Sequence, residues 1–530
     1  METHMERCFV SGKIYTGNPE NPWAEAILSE NGRIKAVGSN ASMQGLMSSD
    51  AEVISLGNRC VLPGLTDSHC HFVRRGQTLG HIDLNQTTSI EECREKLKHA
   101  RDIARKGSWI QGFGWNENFW TEKRPLRKED LDDIAPDNPV ILFRACSHSL
   151  CANAAALHIA GIHRDTPHPP GGVVEKDAAT GEPTGIIKEA RHLIVDHIPE
   201  PSMAELRDAA AAAQEEALHY GITSVHSHEM IRAHDALKAL ETEEALKLRV
   251  FHSLPINELD LIAANKLTPE NGTDRIWYGH IKLFADGSLG ARTAYMHQPY
   301  ENETSVGLPF LDVDDLAAHV EKAHSMGFGV AIHAIGDKAV SNGLEAIGRS
   351  GYRSIPSVPD RIEHIQLIRP SDLDLFVQYG VFAAVQPVFL PTDMDLAEKL
   401  WGLERCEHAY KWKSIVERGI PGVFGSDAPI EPSNPMLGIH AAVNRTKLDG
   451  TPKGGWFPGQ KLSVEECIRS YTLNAAILSG RGHLAGSIEE GKFTDFTVLH
   501  DDVFAIAPEK IKDVTCAMTV VNGEIVYQVD

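Results

Sequence analysis

His69 and His71 stand two residues apart in Asp67-Ser68-His69-Cys70-His71-Phe72, directly after the apolar stretch Val61-Leu62-Pro63-Gly64-Leu65. On a β-strand, side chains two apart share a face, so one strand end can offer two imidazoles to one metal ion. The spacing alone is weak, because the chain holds 26 histidines in 530 residues and His226 and His228 repeat it. The first pair gains weight from residues that close later apolar segments: Lys282, His333, His364 and Asp427. Taken singly these are ordinary: a hydrogen-bonded core histidine, a salt-bridged lysine, a turn or N-cap aspartate. Their succession at strand ends is not. Four neutral imidazoles with carboxylate oxygens suit Zn²⁺ or a similar divalent ion. Such an ion, with one position left open, lowers the pKa of bound water to about 7.

Convergence of these residues requires a particular scaffold. Helix, glycine and strand recur through the middle of the chain. An Ala-rich helix opening at Ser202-Met203-Ala204-Glu205 ends near Gly221 and leads into Ile222-Thr223-Ser224-Val225-His226. A helix over about 313–326 stops at Gly327 before Val330-Ala331-Ile332-His333, and Ser371 can cap another that stops at Gly380 before Phe382-Ala383-Ala384-Val385. Arg249-Val250-Phe251-His252, Ile281-Lys282-Leu283-Phe284, Arg361-Ile362-Glu363-His364 and Val423-Phe424-Gly425-Ser426-Asp427 add further strands. With the strand before His69 there are eight, which predicts an α/β fold built on a (β/α)₈ TIM-like barrel whose site lies at the C-terminal strand ends.

The stretch from 73 to 220 is too long for one loop and helix. It predicts a large insert after barrel strand 1, a subdomain over about 75–200 above the barrel mouth. Both chain ends read as short strands around Asn31-Gly32 and Asn522-Gly523, strong hairpin signals. They predict a small composite β-sandwich domain from residues 1–60 and 480–530, with the barrel over 61–479.

A formal charge of −22 argues against nucleic acid or an anionic membrane surface as the main partner. Nine scattered cysteines without a Cys-x-x-Cys read as reduced core thiols, and Cys70 as a packed one. No run approaches the ~18 apolar residues of a membrane span. These features predict a cytoplasmic protein acting on a small molecule, with a homodimer as the default assembly.

Pro63-Gly64-Leu65-Thr66-Asp67-Ser68-His69-Cys70-His71, Lys282 to Gly290, Ile332-His333-Ala334-Ile335-Gly336-Asp337, Arg361 to His364, Gly425-Ser426-Asp427-Ala428-Pro429 and Gly486 to Lys492 resemble the amidohydrolase superfamily. More narrowly they resemble its YtcJ-like branch, amidohydrolase family 3, which includes N-substituted formamide deformylases. The resemblance spans essentially the whole chain. It implies one or two divalent ions such as Zn²⁺, with His69, His71 and Asp427 on the more buried one and His333 and His364 on the second. It implies that Lys282 is carboxylated and that its carbamate bridges both. The reaction implied is hydrolysis of a C–N bond in an amide, N-formyl or N-acyl amine, in which a metal-activated hydroxide attacks the carbonyl carbon and Asp427 shuttles the proton.

Stretches similar to Gly112 to Asn116 and Arg144 to His148 face the active site in that branch. This makes Trp115, Arg144 and His148 substrate-binding candidates, against a plain reading as subdomain core and surface. Arg292 could meet a substrate carboxylate or phosphate, or form a structural ion pair. His226, His228, Asp286 and Asp337 are candidates to orient ligands from behind. Two other functions compete. A cyclic amidine deaminase of the same superfamily carries a glutamate three residues after the fifth-strand histidine, where this chain has Gly336. A catalytically silent binding barrel usually lacks ligands, and none is missing here.

Overall fold

Eight parallel strands pair in chain order: β1 (Leu65–Cys70), β2 (Ile222–His228), β3 (Arg249–Pro255), β4 (Ile276–Phe284), β5 (Gly329–Ala334), β6 (Arg361–His364), β7 (Phe382–Val385) and β8 (Gly422–Phe424). The computed structural model describes residues 6–145, 149–169, 172–351 and 357–529. The expected barrel is present. Every residue of β1, β6, β7 and β8 is buried; β7 and β8 accordingly read as short apolar runs, whereas β1 and β6 bury polar and charged side chains. The circle is nearly closed just beyond β8. There Asp427 N–H donates to His69 O at 2.6 Å and His71 N–H to Ala428 O at 2.8 Å. The Asp67 carboxylate accepts from Ser426 N–H at 2.9 Å and Ser426 Oγ at 2.5 Å.

Helices cover the outside. Met203–His219 buries Ala209, Ala210, Ala213 and Ala217 in the main apolar core, small side chains that let a helix lie close to the sheet. Val313–Ser325 is capped by Asp312, whose side chain accepts from Asp314 and Asp315 N–H. Leu373–Tyr379 ends at Gly380 in a left-handed conformation, φ 65°. Ser371 does not cap it: a 3₁₀ turn over Pro370–Asp372 precedes the helix, and Ser371 Oγ points to Asp372 at 3.4 Å.

The chain divides into two compact units, 1–76 with 203–530, and 77–202. The first also holds two mixed sheets. One contains, in order, Arg33–Gly38, Ala26–Glu30, Glu6–Val10 and Glu52–Ser55; the other Glu524–Gln528, Cys516–Val521, Phe496–Leu499, Cys60–Pro63, Lys13–Tyr15 and Trp23–Ala24. Phe9, Ile27 and Ile34 from the first pack with Val61, Phe496, Val498, Met518 and Val520 from the second, forming a sandwich core. The 77–202 unit is built on its own six-stranded mixed sheet, with a separate apolar cluster on each face. Among the described residues no helix is long and apolar enough to cross a membrane.

Candidate metal centre

At the C-terminal rim of the barrel, strand geometry alone would not bring all the ligand candidates inward. Neighbouring residues on a strand face opposite ways, so Glu363 and His364 should not both point into the barrel. The backbone solves this with a turn at the end of β6: His364 has φ 74° and Ile365 φ 48°. Asp427 likewise sits at φ 59°. Such conformations cost of order 1–3 kcal/mol each and persist only where the surroundings enforce them. Gly425 permits the closure beneath Asp427, since a Cβ there would lie 2.7 Å from His69 Cβ.

Four imidazoles at this rim share one feature: one ring nitrogen of each is held by an acceptor. His69 Nδ1 donates to Glu363 Oε2 at 2.6 Å, and His71 Nδ1 to His228 O at 2.7 Å. His364 Nδ1 donates to Gln386 Oε1 at 2.8 Å, and His333 Nε2 to Gly287 O at 3.0 Å. Backbone carbonyls and carboxylates only accept, so in His69, His71 and His333 the opposite nitrogen keeps its lone pair. His69 Nε2 and His71 Nε2 lie 3.5 and 3.2 Å from Asp427 Oδ1. Two ligand atoms about 2.1 Å from a tetrahedral ion stand roughly 3.4 Å apart, so the spacing fits a cation held among them. His69, His364 and Asp427 offer ligand atoms all within 4.8 Å of one another. The His333 ring centroid lies 4.4 Å from that of His364.

The electrostatics agree. Burial holds His69, His333 and His364 well below the ordinary imidazole pKa, the neutral state that a metal ligand needs. For His71 burial acts downward, but the adjacent Asp427 carboxylate outweighs it and raises the pKa. Burial would raise the Asp427 pKa, and the neighbouring His69, His71 and Lys282 outweigh this and lower it. Lys282 Nζ is buried with no hydrogen-bond partner, and burial brings its pKa down to about 8. A solvent-free amine without a partner is costly unless it is modified or a ligand completes it.

His69, His228 and Glu363 form a second group with metal-ligand spacing. A guanidinium already fills the cation's place there. Arg361 Nε pairs with Glu363 Oε1 at 2.6 Å, and its Nη atoms donate to Ser68 O at 3.0 Å, His226 Nδ1 at 3.2 Å and His228 Nε2. The second His-x-His therefore spends a lone pair of each ring on Arg361 and sits behind the first.

The Asp286 carboxylate accepts from the backbone N–H of Tyr295, Ile335 and Gly336 at 2.8–3.0 Å and lies 3.6 Å from His333 Nε2. Burial raises its pKa to about 7. Asp337 accepts from His297 N–H at 2.9 Å. Arg292 forms an ion pair with Glu303 at 2.6 Å. In the 77–202 unit, Trp115 is a core residue stacked on Trp120, its Nε1–H donating to Leu142 O at 2.8 Å. Arg144 pairs with Glu117 at 2.9 Å. His148 lies outside the described residues. Sequence reasoning assigned no role to Glu363, Arg361 or Gln386. The first two share strand parity in Arg361-Ile362-Glu363, so two inward charges on one barrel strand were the available signal; Gln386 gave none.

A family model described as the amidohydrolase family matches residues 52–527. YtcJ of Bacillus subtilis (strain 168), which carries an amidohydrolase name, is 34% identical over 99% of this chain and 100% of its own length. An N-substituted formamide deformylase of Arthrobacter pascens is 27% identical over 98% of each chain. Among solved structures, an uncharacterized metal-dependent hydrolase from Pyrococcus furiosus superposes with a TM-score of 0.79 at 30% identity, covering 94% of this chain and all of that one.

Proposed function

The chain belongs to the amidohydrolase family, and from that premise we propose that it hydrolyses a C–N bond in a small amide-like molecule, an N-formyl or N-acyl amine, at the C-terminal rim of the barrel. The observation that carries this reading is the set of four imidazoles, each tied by one nitrogen to an acceptor, around the Asp427 carboxylate. On this reading His69, His71 and Asp427 hold one divalent ion, Zn²⁺ or similar, and His333 and His364 a second. Lys282 would join this set as a carbamate: its buried amine has no hydrogen-bond partner, and addition of CO₂ with loss of a proton would put one negative charge, shared by two oxygens, where an ammonium would repel the ions. When bound, such an ion supplies Lewis acidity toward a carbonyl oxygen and lowers the pKa of water to about 7.

The protein's own part is proton handling and shielding. Asp427, kept ionised by the neighbouring positive charge, accepts the proton of the attacking water and returns it to the departing amine nitrogen. Burial of His69 and His364 excludes competing water. The test is a panel of small amides, formamides and esters assayed with and without chelator, alongside metal analysis of the purified protein. Chelator-sensitive release of an amine or formate supports the reading. A protein that neither carries nor takes up divalent metal would sink it.

A further inference from the structure

We propose that Glu363 is a positioning residue for the metal centre, setting the tautomer and basicity of His69, and that Arg361 exists to make this possible. The inference rests on the reading of His69 as a metal ligand.

Of the four anchored imidazoles, three lean on neutral acceptors: His228 O, Gln386 Oε1 and Gly287 O. His69 alone among them leans on a carboxylate, at 2.6 Å. Glu363 is wholly buried, and so is the Arg361 that pairs with its other oxygen. That pairing commits one carboxylate oxygen to the guanidinium and leaves the other to accept the Nδ1–H of His69. The ring's remaining lone pair, on Nε2, then points toward Asp427 and is enriched by the negative charge behind it.

A plain structural ion pair would need only the contact between Arg361 and Glu363. Here each partner's remaining groups are used as well, and in a consistent sense. The second Glu363 oxygen takes His69, while the Arg361 Nη atoms take Ser68 O on β1 and both rings of the second His-x-His. The Ser68 contact holds the backbone next to His69 itself. Arg361 also denies a cation the alternative group of His69, His228 and Glu363, so an ion can settle only on the Asp427 side of His69. One buried pair thus orients a ligand and selects which of its faces is used.

The test compares wild type, Glu363→Gln and the double variant Arg361→Met/Glu363→Leu. Each is stripped of metal and titrated with Zn²⁺ against a chromophoric chelator, and the metal-free thermal midpoint is recorded in parallel. Glu363→Gln unpairs a buried guanidinium, so its midpoint should fall. The double swap replaces the whole pair by apolar groups of similar volume, a change proteins often tolerate, and should recover much of that midpoint. Both variants should bind Zn²⁺ about 10- to 100-fold more weakly than wild type. A structural role alone predicts that affinity recovers with stability in the double variant, and that result would overturn the inference. So would wild-type affinity in Glu363→Gln; whichever variant folds suffices to decide. Wild-type protein without measurable affinity overturns the proposed function as well, which keeps the two failures apart.

Discussion

Asp427 faces two imidazole nitrogens through one oxygen, at 3.2 and 3.5 Å, and that oxygen has no hydrogen-bond donor of its own. An ionised carboxylate so placed is suited to bind a cation and exchange a proton. Asp427→Asn preserves size and removes the proton acceptor, so turnover should fall about 10²- to 10⁴-fold while circular dichroism and the metal-free unfolding midpoint stay near wild type. Retained turnover would remove Asp427 from the proton path. Phe284 makes a different kind of prediction. The residue is 43% exposed although its ring centroid stands 5.3 Å from that of His333, an apolar surface left open beside the candidate centre. Phe284→Ala should raise KM for substrates bearing a bulky apolar group about 5- to 100-fold, at roughly 1–3 kcal/mol per buried group, and leave the smallest formamides unaffected. Equal effects on both would show that the ring only packs. The candidate ligands themselves were legible because His, Lys and Asp closed successive apolar runs. Their hydrogen-bond partners were not, since a carbonyl such as His228 O or Gly287 O leaves no trace in residue type.

Strand order was readable for a physical reason: parallel strands buried on both faces become short apolar blocks, and the helices between them end at glycines. The turns beyond the strands were not readable. Nothing in Glu363-His364-Ile365 announces that two consecutive residues take positive φ, least of all a β-branched isoleucine at 48°. The same holds for the junction of β1 and β8, which depends on how closely Gly425 approaches His69. A methyl group there pushes directly on the His69 backbone and side chain. Gly425→Ala should therefore cost about 1–3 kcal/mol of unfolding free energy and weaken Zn²⁺ uptake as well, measured by urea denaturation and chelator competition. A variant destabilised yet unchanged in Zn²⁺ affinity would show that the junction supports the fold without setting His69. Ser371 failed as a cap because a proline-led 3₁₀ turn reaches the helix first, a competition that a single cap signal cannot foresee.

Across the molecule, buried imidazoles tie stability to pH. Burial lowers the pKa of His252 and His280 from 6.5 to about 3. Between those limits the unfolded chain binds a proton on each ring that the folded chain refuses. Stability is therefore full above pH 6.5 and falls as pH drops through that window, by about 1.4 kcal/mol per pH unit for each ring. The urea midpoint of metal-free protein should decline steeply from pH 7 to 5, and His252→Gln should flatten the slope; a midpoint constant over that range would contradict the assignment. The paired sheets add a consequence in time. Cys60–Pro63, which feeds directly into β1, is hydrogen-bonded on one side by Phe496–Leu499, and Gly64 N–H donates to Asp495 O at 3.0 Å. A ribosome releases His69 and His71 long before it makes the strand that clamps their approach. The nascent chain therefore holds both candidate imidazoles beside a strand whose pairing edge stays open until residues 496–499 are made.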